Sequence, residues 1–562
     1  MGAFQSGGME ASGPPQVPGP SMPEATSTRS SRTGPGRTLP LRVADVQLYR
    51  VCEDLTEGLI YLMLIFSPWA FGTTERWSIW VMNIGGYVLG VFLAAKLSVR
   101  WLRGYRPPRW DEGGGPQDHR TTGPRDYALQ RKLTVVLAVL TAAILAYCLI
   151  GAVNARATYD QRGQSFNYRL DYLKWLPASF DGHRTWEVFW SYLGLACSFW
   201  ALRDWLLGKT SGEERAGRRK SAEFGVGSAE CAEETVAHST LRTAHSTPAP
   251  LLPARLRRLL WALALNGGLL ALESLAQRLS GSHKLLFVVQ PRVNPEGETQ
   301  FGPYAYRSNA AQYFNLLWPV CLGFWWTMQR SGGLRRGVLH LLLASSVVMA
   351  ACPMVSTSRG GALVTVGIGA AALVLLLGAQ VFVAQRRESR RSARLALGLL
   401  VLCLGVALGL GYALGGKALR PRLVHLQEGF ADREQMYEAA RPMAADYPLF
   451  GTGPGTFEWV FQLYRISTAT YWPAQLHNDW LETRITFGWA GSGLIGLALM
   501  VVLLRWFARG GIHGGRRFMI LAWLALAGAL VHARYDFPLQ IHSIVFLFLV
   551  LCSVLFTLTR RA

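Results

Sequence analysis

The chain alternates long apolar runs with short polar connections. Twelve such runs, each of about 17 to 25 residues, have the length that a bilayer requires of a helix. They cover residues 55–71, 77–99, 133–153, 186–207, 258–277, 311–328, 338–356, 360–384, 395–415, 485–506, 518–533 and 539–558. Because lipid offers no partner for an unpaired backbone amide, the pattern predicts an all-α, polytopic integral membrane protein with about twelve transmembrane helices. Because the first, fourth and fifth runs contain charged residues, a count of eleven or thirteen transmembrane helices is also compatible with the sequence.

The positive charge lies mainly in connections on one side of the predicted membrane. The formal net charge is +22 and the isoelectric point is about 10.0. "QRRESRRSAR" (385–394) holds five arginines and one acid, whereas the connection 416–484 holds seven basic and eight acidic residues. Basic connections stay in the cytoplasm, so we expect both termini inside and 416–484 outside. The charge is then a topology signal, and no nucleic-acid partner is expected.

Two further segments have a composition that cannot bury a core. Residues 1–45 are rich in Gly, Pro and Ser, a composition from which no cleavable signal sequence is expected, and residues 208–250 are similar. Both segments are predicted to be disordered and cytoplasmic. The first precedes the N-terminal transmembrane bundle, predicted at 55–334, and the second is a loop within that bundle.

The predicted outer loop 416–484, between helices nine and ten, is long enough to fold and function. Its "DREQMYEAARPMAADYPLF" portion is helix-like and places Arg433, Tyr437 and Arg441 on one face, with Pro442 predicted to kink or end the helix. The following "GTGPG", centred on Gly453, must turn sharply, and such turns can direct amide groups at an anion. The alternatives are a solvated charged face and an ordinary turn.

The loop ends in "QLHNDWLE", directly before an apolar run. Asp479 followed by Glu482 fits a helix N-cap with its capping box, with Asn478 in support and His477 just before the first turn. A helix start favours an anion and disfavours a protonated imidazole. A neutral histidine beside an anion site suits a general base, although a histidine that only hydrogen-bonds at a helix end is the simpler alternative.

Two shorter connections place more arginines on the same side. Arg359 in "STSRGG" and Arg307 in "GPYAYRSNAAQYF" both stand at predicted helix ends. An arginine at the membrane edge is costly unless it is paired or binds an anion. With Arg433 and Arg441 they predict a cleft for a phosphorylated substrate, since a guanidinium matches phosphate oxygens. Histidines 425, 477, 532 and 542 lack any HxxxH or HExxH spacing, so no metal is expected.

"STSRGG", the loop sequence and "HNDWLE" together resemble the O-antigen ligase and polymerase superfamily over residues 335–500, followed by C-terminal helices at 501–562. The resemblance implies transfer of a glycan from undecaprenyl diphosphate to an acceptor hydroxyl at the periplasmic face of the bacterial inner membrane, without cofactor or metal. It implies that His477 is the base and that Arg359 and Arg433 hold the diphosphate. The acceptor could be lipid A core, a growing glycan or a protein, and membrane lipids are the remaining partners.

A transporter of a small anion such as bicarbonate is the alternative of another class. Transporters of that kind place polar residues and helix breaks near the middle of the membrane. Here the polar residues gather at the outer helix ends, which favours an enzyme.

Overall fold

Helices form nearly all of the protein. The computed structural model describes residues 39–110, 124–216, 252–331, 336–382, 387–466, 474–505, 512–513 and 515–559. Within these ranges the helices are α1 (Val43–Trp69), α2 (Arg76–Leu102), α3 (Pro124–Val153), α4 (Gly182–Leu206), α5 (Ala254–Ser280), α6 (Arg307–Ser331), α7 (Arg336–Val355), α8 (Arg359–Phe382), α9 (Arg387–Val424), α10 (Leu426–Asp446), α11 (Phe457–Val460), α12 (Asp479–Leu504), α13 (Arg516–His532) and α14 (His542–Thr557).

Short strands add little to this architecture. β1 (Ala157–Asp160) and β2 (Ser165–Tyr168) form an antiparallel hairpin between α3 and α4, with Ala157 opposite Tyr168. β3 (Ile512–His513) and β4 (Leu558–Thr559) pair in parallel at the other end of the bundle.

Each predicted apolar run lies on a helix, and the prediction of an all-α polytopic membrane protein is confirmed. Six of the described helices are long and apolar enough to cross a membrane: α2, α3, α5, α7, α9 and α12. The apolar parts of α8, α13 and α14 are shorter. Large side chains such as Leu62, Val91 and Leu402 are about two-thirds exposed on the bundle surface, as expected where lipid is the solvent. The count of twelve spans stays a prediction.

Helix α6 lies at the centre of the bundle. Its residues from Ala310 to Trp326 are almost completely buried, and it packs against α7, α8 and α13. Few side chains on α6 could therefore face lipid. Arg307, the first residue of α6, contacts the hydroxyl of Thr357 just before the start of α8.

The two predicted disordered segments fall largely outside the described residues. Of the tail 1–45, residues 39–45 are described, and α1 already begins at Val43. Of the segment 208–250, residues 208–216 are described, where Thr210 accepts and donates hydrogen bonds with Glu213.

The outer-loop sequence is helical as predicted, but Pro442 does not end α10, which continues to Asp446. The chain then packs against a break inside α12. At Gly488 the backbone turns to φ 61° and ψ −168°, which frees the carbonyls before it. The amides of Thr452 and Gly453 donate to the carbonyls of Ile485 and Thr486, each at 2.9 Å.

We expect Gly488→Ala to lower the free energy of unfolding by about 2 kcal/mol or more. The left-handed φ disfavours any side chain, and an added Cβ would lie 2.2 Å from the carbonyl oxygen of Leu449. Gly493→Ala on the same helix is the matched control, because a Cβ there meets nothing within 4 Å. Thermal unfolding of the purified proteins in detergent measures the difference, and equal melting temperatures would contradict this account of the break.

Candidate active site

A cavity of about 680 Å³ opens between α8 and α13, at the end of the bundle where α8 begins. One half is polar and the other apolar. The apolar half is lined by side chains and glycines of the two helices: Leu363, Val364, Gly367, Ile368 and Ala371 on α8, and Leu524, Ala527, Gly528 and Val531 on α13. From Arg359 to Ala371 this lining follows α8 for about 18 Å, at 1.5 Å per residue. The cavity is therefore shaped for a polar group with a long apolar chain.

Four arginines line the polar half: Arg307, Arg359, Arg422 and Arg433. They come from the starts of α6 and α8, the last turn of α9, and α10. Three of them were predicted from the sequence. Arg422 was not, because it lies at the end of a helix that is longer than the predicted span. The fold thus brings together residues that are up to 126 positions apart in the chain.

Three of these arginines have no carboxylate within ion-pair distance in the described part of the chain. Within the described ranges, Arg307, Arg359 and Arg422 form no ion pair with a carboxylate, and the buried Nε of Arg359 has no hydrogen-bond acceptor. Arg307 donates to the carbonyl of Glu298 at 2.7 Å, and Arg359 donates to that of His425 at 3.2 Å. Positive charge concentrated in a partly enclosed cavity favours an anion there.

The start of α8 adds to this preference. Ser358 caps the helix, since its Oγ accepts from the amide of Gly361 at 3.1 Å. Thr357 before it has a positive φ of 60°, and its hydroxyl accepts from Arg307 at 3.4 Å. The partial positive charge of the helix start therefore points into the cavity beside Arg359.

His477 and Asp536 form a hydrogen-bonded pair beside this cavity, and of the two only Asp536 is among its lining residues. The distance from Nδ1 of His477 to Oδ1 of Asp536 is 3.0 Å. An ionised carboxylate can only accept, which assigns the hydrogen to Nδ1 and leaves Nε2 of a neutral ring free to accept a proton. The rings of His477 and Phe537 pack edge to face, with centroids 4.8 Å apart.

Asp536 is buried among donors. Its Oδ2 accepts from Ser308 at 2.5 Å and from Tyr306 at 3.2 Å, and Arg433 lies 3.9 Å away. Burial would raise the pKa of this carboxyl, but the hydrogen bond from His477 and the charge of Arg433 hold the pKa below its ordinary value. Asp536 therefore stays ionised and continues to accept the hydrogen bond from Nδ1 of His477.

Ser308 extends the network along the cavity wall, because both Ser308 and His532 line the cavity. Its Oγ lies 3.2 Å from Nε2 of His532, whose Nδ1 lies 2.7 Å from Oε1 of Gln312. His532 was considered from the sequence only as a metal ligand. It instead supports the hydroxyl that binds Asp536.

The backbone at His477 is held separately from its ring. His477 has a positive φ of 56°, and its carbonyl accepts from the hydroxyl of Tyr437 at 2.8 Å. The N-cap of α12 is Asn478, whose Oδ1 accepts from the amide of Leu481 at 3.1 Å. The prediction that Asp479 caps this helix is wrong by one residue.

The two predicted capping carboxylates have other partners. Asp479 accepts from the amide of Leu539 at 2.8 Å and from Nε2 of Gln540 at 3.1 Å. Its own amide donates to the carbonyls of Ala533 and Asp536. Glu482 accepts from the amide of Leu476 at 2.8 Å rather than from the cap. Both carboxylates therefore fix the segments on either side of the His477–Asp536 pair.

Two other predicted site residues lie outside the cavity. Arg441 does not line it and instead pairs with Glu434 at 2.6 Å. Gly453 packs against Ser179, and a Cβ at position 453 would lie 2.4 Å from the Oγ of Ser179. The amide of Gly453 donates to the carbonyl of Thr486. The "GTGPG" turn therefore supports the break in α12 and does not direct this amide at an anion.

Sequence reasoning missed Asp536, Tyr306 and Arg422. "ARYDFPL" (533–539) separates two predicted helices on the outer side, so its carboxylate was a detectable signal at the same membrane face. Tyr306 directly precedes Arg307 in a segment that was already singled out. These residues are linked by their position on the same predicted side of the membrane. Their spacing in the sequence does not link them.

Within the described residues, no group of three or more His, Cys, Asp or Glu side chains is placed to hold a metal ion. Residues 344–496, somewhat over a quarter of the chain, match the family model described as "O-Antigen ligase". The match includes Arg359, Arg422, Arg433 and His477 and ends before Asp536. No curated protein matches the chain at a significant level.

Proposed function

Through residues 344–496 the chain belongs to the O-antigen ligase and polymerase superfamily, and we propose that it transfers a glycan from undecaprenyl diphosphate to an acceptor hydroxyl. The match to this family model supports glycan transfer at a membrane as the general reaction. The specific proposal depends on one observation: a cavity that joins an arginine cluster to an apolar groove, beside a histidine–aspartate pair.

The donor would bind with its two chemical parts in the two halves of the cavity. Its diphosphate would contact Arg307, Arg359 and Arg422 at the start of α8, because guanidinium groups and helix starts both bind phosphate oxygens. Its isoprenoid chain would follow the groove between α8 and α13. The glycan would then project out of the bundle, with its anomeric carbon near His477.

His477 would act as the general base. Nε2 takes the proton of the acceptor hydroxyl as the oxygen attacks the anomeric carbon, while Asp536 stabilises the imidazolium that forms. The bond from that carbon to the diphosphate oxygen breaks, and the electron pair leaves with undecaprenyl diphosphate. The arginines stabilise this developing negative charge. Direct displacement of this kind inverts the anomeric centre.

We expect Asp536→Asn to lower kcat by about a hundredfold or more, with the KM for the donor little changed. An amide cannot stabilise the imidazolium, and its NH2 group can favour the wrong tautomer of His477. Initial rates of transfer by the purified protein measure the effect. Asp171→Asn, which changes an exposed carboxylate paired with Arg169, is the control. An unchanged kcat for Asp536→Asn would contradict the role of the pair.

The proposal requires the site to face the periplasm, with both termini in the cytoplasm of a bacterial inner membrane. The arginine-rich connections after α6 and α8 support this orientation. A reporter inserted in 208–250 should then indicate the cytoplasm, and one near residue 460 the periplasm. Both reporters on the same side would contradict the topology.

Deletion in the native host, followed by gel analysis of lipid-linked and lipopolysaccharide glycans, tests the proposed reaction. Polymer that accumulates on the carrier, with loss of capped lipopolysaccharide, indicates a ligase. Carrier bearing only single repeats indicates a polymerase, and loss of glycan from proteins indicates a protein O-glycosyltransferase. Unchanged glycans with lost uptake of a small anion such as bicarbonate would favour the transporter.

A further inference from the structure

A second pocket of about 300 Å³ lies beside His477 and shares no lining residue with the donor cavity. Its lining includes Arg441, Arg484 and Arg534 but no carboxylate, and is completed by Tyr437, Asn478, Trp480 and Leu481. The site described above uses none of its three arginines. The pocket therefore holds concentrated positive charge that the donor does not account for.

Helix α10 connects the two pockets. Arg433 lines the donor cavity, Tyr437 holds the carbonyl of His477, and Arg441 lines the second pocket. These residues follow each other at intervals of four along one helix face, so the two outer ones are about 12 Å apart. The carbonyl of His477 is thus held midway along a helix face that reaches both arginine-lined pockets.

The arginines of the second pocket have N–H groups that can donate hydrogen bonds to a ligand. Arg484 stacks on Trp489 at 4.2 Å, and its buried Nη1 has no hydrogen-bond partner. Within the described part of the chain, Arg534 forms no ion pair with a carboxylate. Arg441 pairs with Glu434, but both side chains are about half exposed, and such surface pairs are weak.

Trp480 gives the same pocket an apolar wall. Its indole is half exposed, and its Nε1 donates to the carbonyl of Leu530 at 3.0 Å, which fixes the ring. A fixed aromatic face next to cationic donors suits a ring that carries C–H groups on one side and a charged substituent on the other.

We propose that this pocket is the acceptor subsite and that it selects a saccharide bearing a phosphate or carboxylate group. The inference rests on the proposed function, because it assigns the second substrate of that reaction. The anion contacts Arg484 and Arg534, the sugar ring lies against Trp480, and the attacking hydroxyl reaches His477.

The first test measures transfer from undecaprenyl diphosphate-linked glycan to membrane glycolipids extracted from the native host. We expect Arg484→Gln and Arg534→Gln each to raise the KM for the acceptor about tenfold, while the KM for the donor and kcat stay within about twofold. Arg534 is exposed, so its variant keeps the test valid if Arg484→Gln fails to fold. Arg169→Gln, an exposed arginine on the segment after β2, is the matched control. An unchanged acceptor KM in Arg534→Gln would overturn the proposal.

The second test uses soluble sugars as competitors of the acceptor. Glucose 6-phosphate, glucuronate and glucose differ in charge and in the group that carries it. Competition by glucose 6-phosphate indicates a phosphate group on the acceptor, and competition by glucuronate indicates a carboxylate. High salt should weaken the binding of either competitor. Equal competition by glucose, or none by the charged sugars, would overturn the proposal. Intact transfer with no acceptor selectivity would contradict the subsite alone, whereas a wild-type protein without transfer would contradict the proposed function as well.

Discussion

His477→Ala should lose transfer activity by a factor of about 10² to 10⁴, the usual cost of removing a general base. The donor contacts assigned above come from arginines and from the start of α8, and none of them involves the imidazole. The variant should therefore still bind undecaprenyl diphosphate with nearly the wild-type Kd. Rates and donor binding measured on the same purified preparation separate the two effects.

His183→Ala is the matched control, because His183 is an exposed histidine in the first turn of α4. Its loss should leave both transfer and donor binding unchanged. A His477→Ala protein that turns over at the wild-type rate, reconstituted with donor and acceptor, would show that the histidine only holds the end of the loop. The base would then have to be sought among other groups.

Arg359→Ala should lower kcat/KM by about 10² or more, because it removes a charge-assisted contact that strengthens as the diphosphate leaves. Unlike Arg433, which is already engaged with Asp536 and Tyr306, Arg359 has no acidic partner among the described residues. Its loss should therefore act on the substrate rather than on the fold. Arg359→Lys should recover little activity, since an ammonium lacks the planar fork of a guanidinium.

Donor titration and kinetics should be run together on these variants. The expected pattern is a weaker Kd for undecaprenyl diphosphate and a lower kcat, with an unchanged melting temperature. Arg433→Ala should also abolish transfer, but with lost stability, because it leaves Asp536 with fewer donors. Wild-type kinetics from purified Arg359→Ala would refute the diphosphate role.

The sequence predicted the main architecture because lipid imposes a simple rule. Any helix in a bilayer needs a long apolar run, and each predicted run lies on a helix. The same rule places connections on one of two faces, which grouped Arg307, Arg359, Arg433 and His477 before their contacts were known. The three arginines do line one cavity, and His477 is joined to it through its hydrogen bond with Asp536.

The errors concern backbone detail that a residue pattern does not encode. Asp479 and Asn478 are both good caps, and only the φ and ψ of the chain decide which of them precedes the helix. Gly453 was misplaced because its amide partner arises from the break at Gly488, one of several glycines in an apolar run. Arg441 shares a face with Arg433, but one helix face eight residues long reaches two different pockets.

The bonds around Asp479 have a consequence for the cost of catalysis. Its side chain and its amide tie the start of α12 to the segment between α13 and α14, so the residues carrying His477 and Asp536 are joined by contacts that involve no substrate. The pair is thus preorganised: its alignment is achieved once, when the chain folds, and is not repeated at each turnover. Reorganisation energy is a large part of the barrier to proton transfer in water. A rigid connection between two helix ends removes that part before any substrate binds.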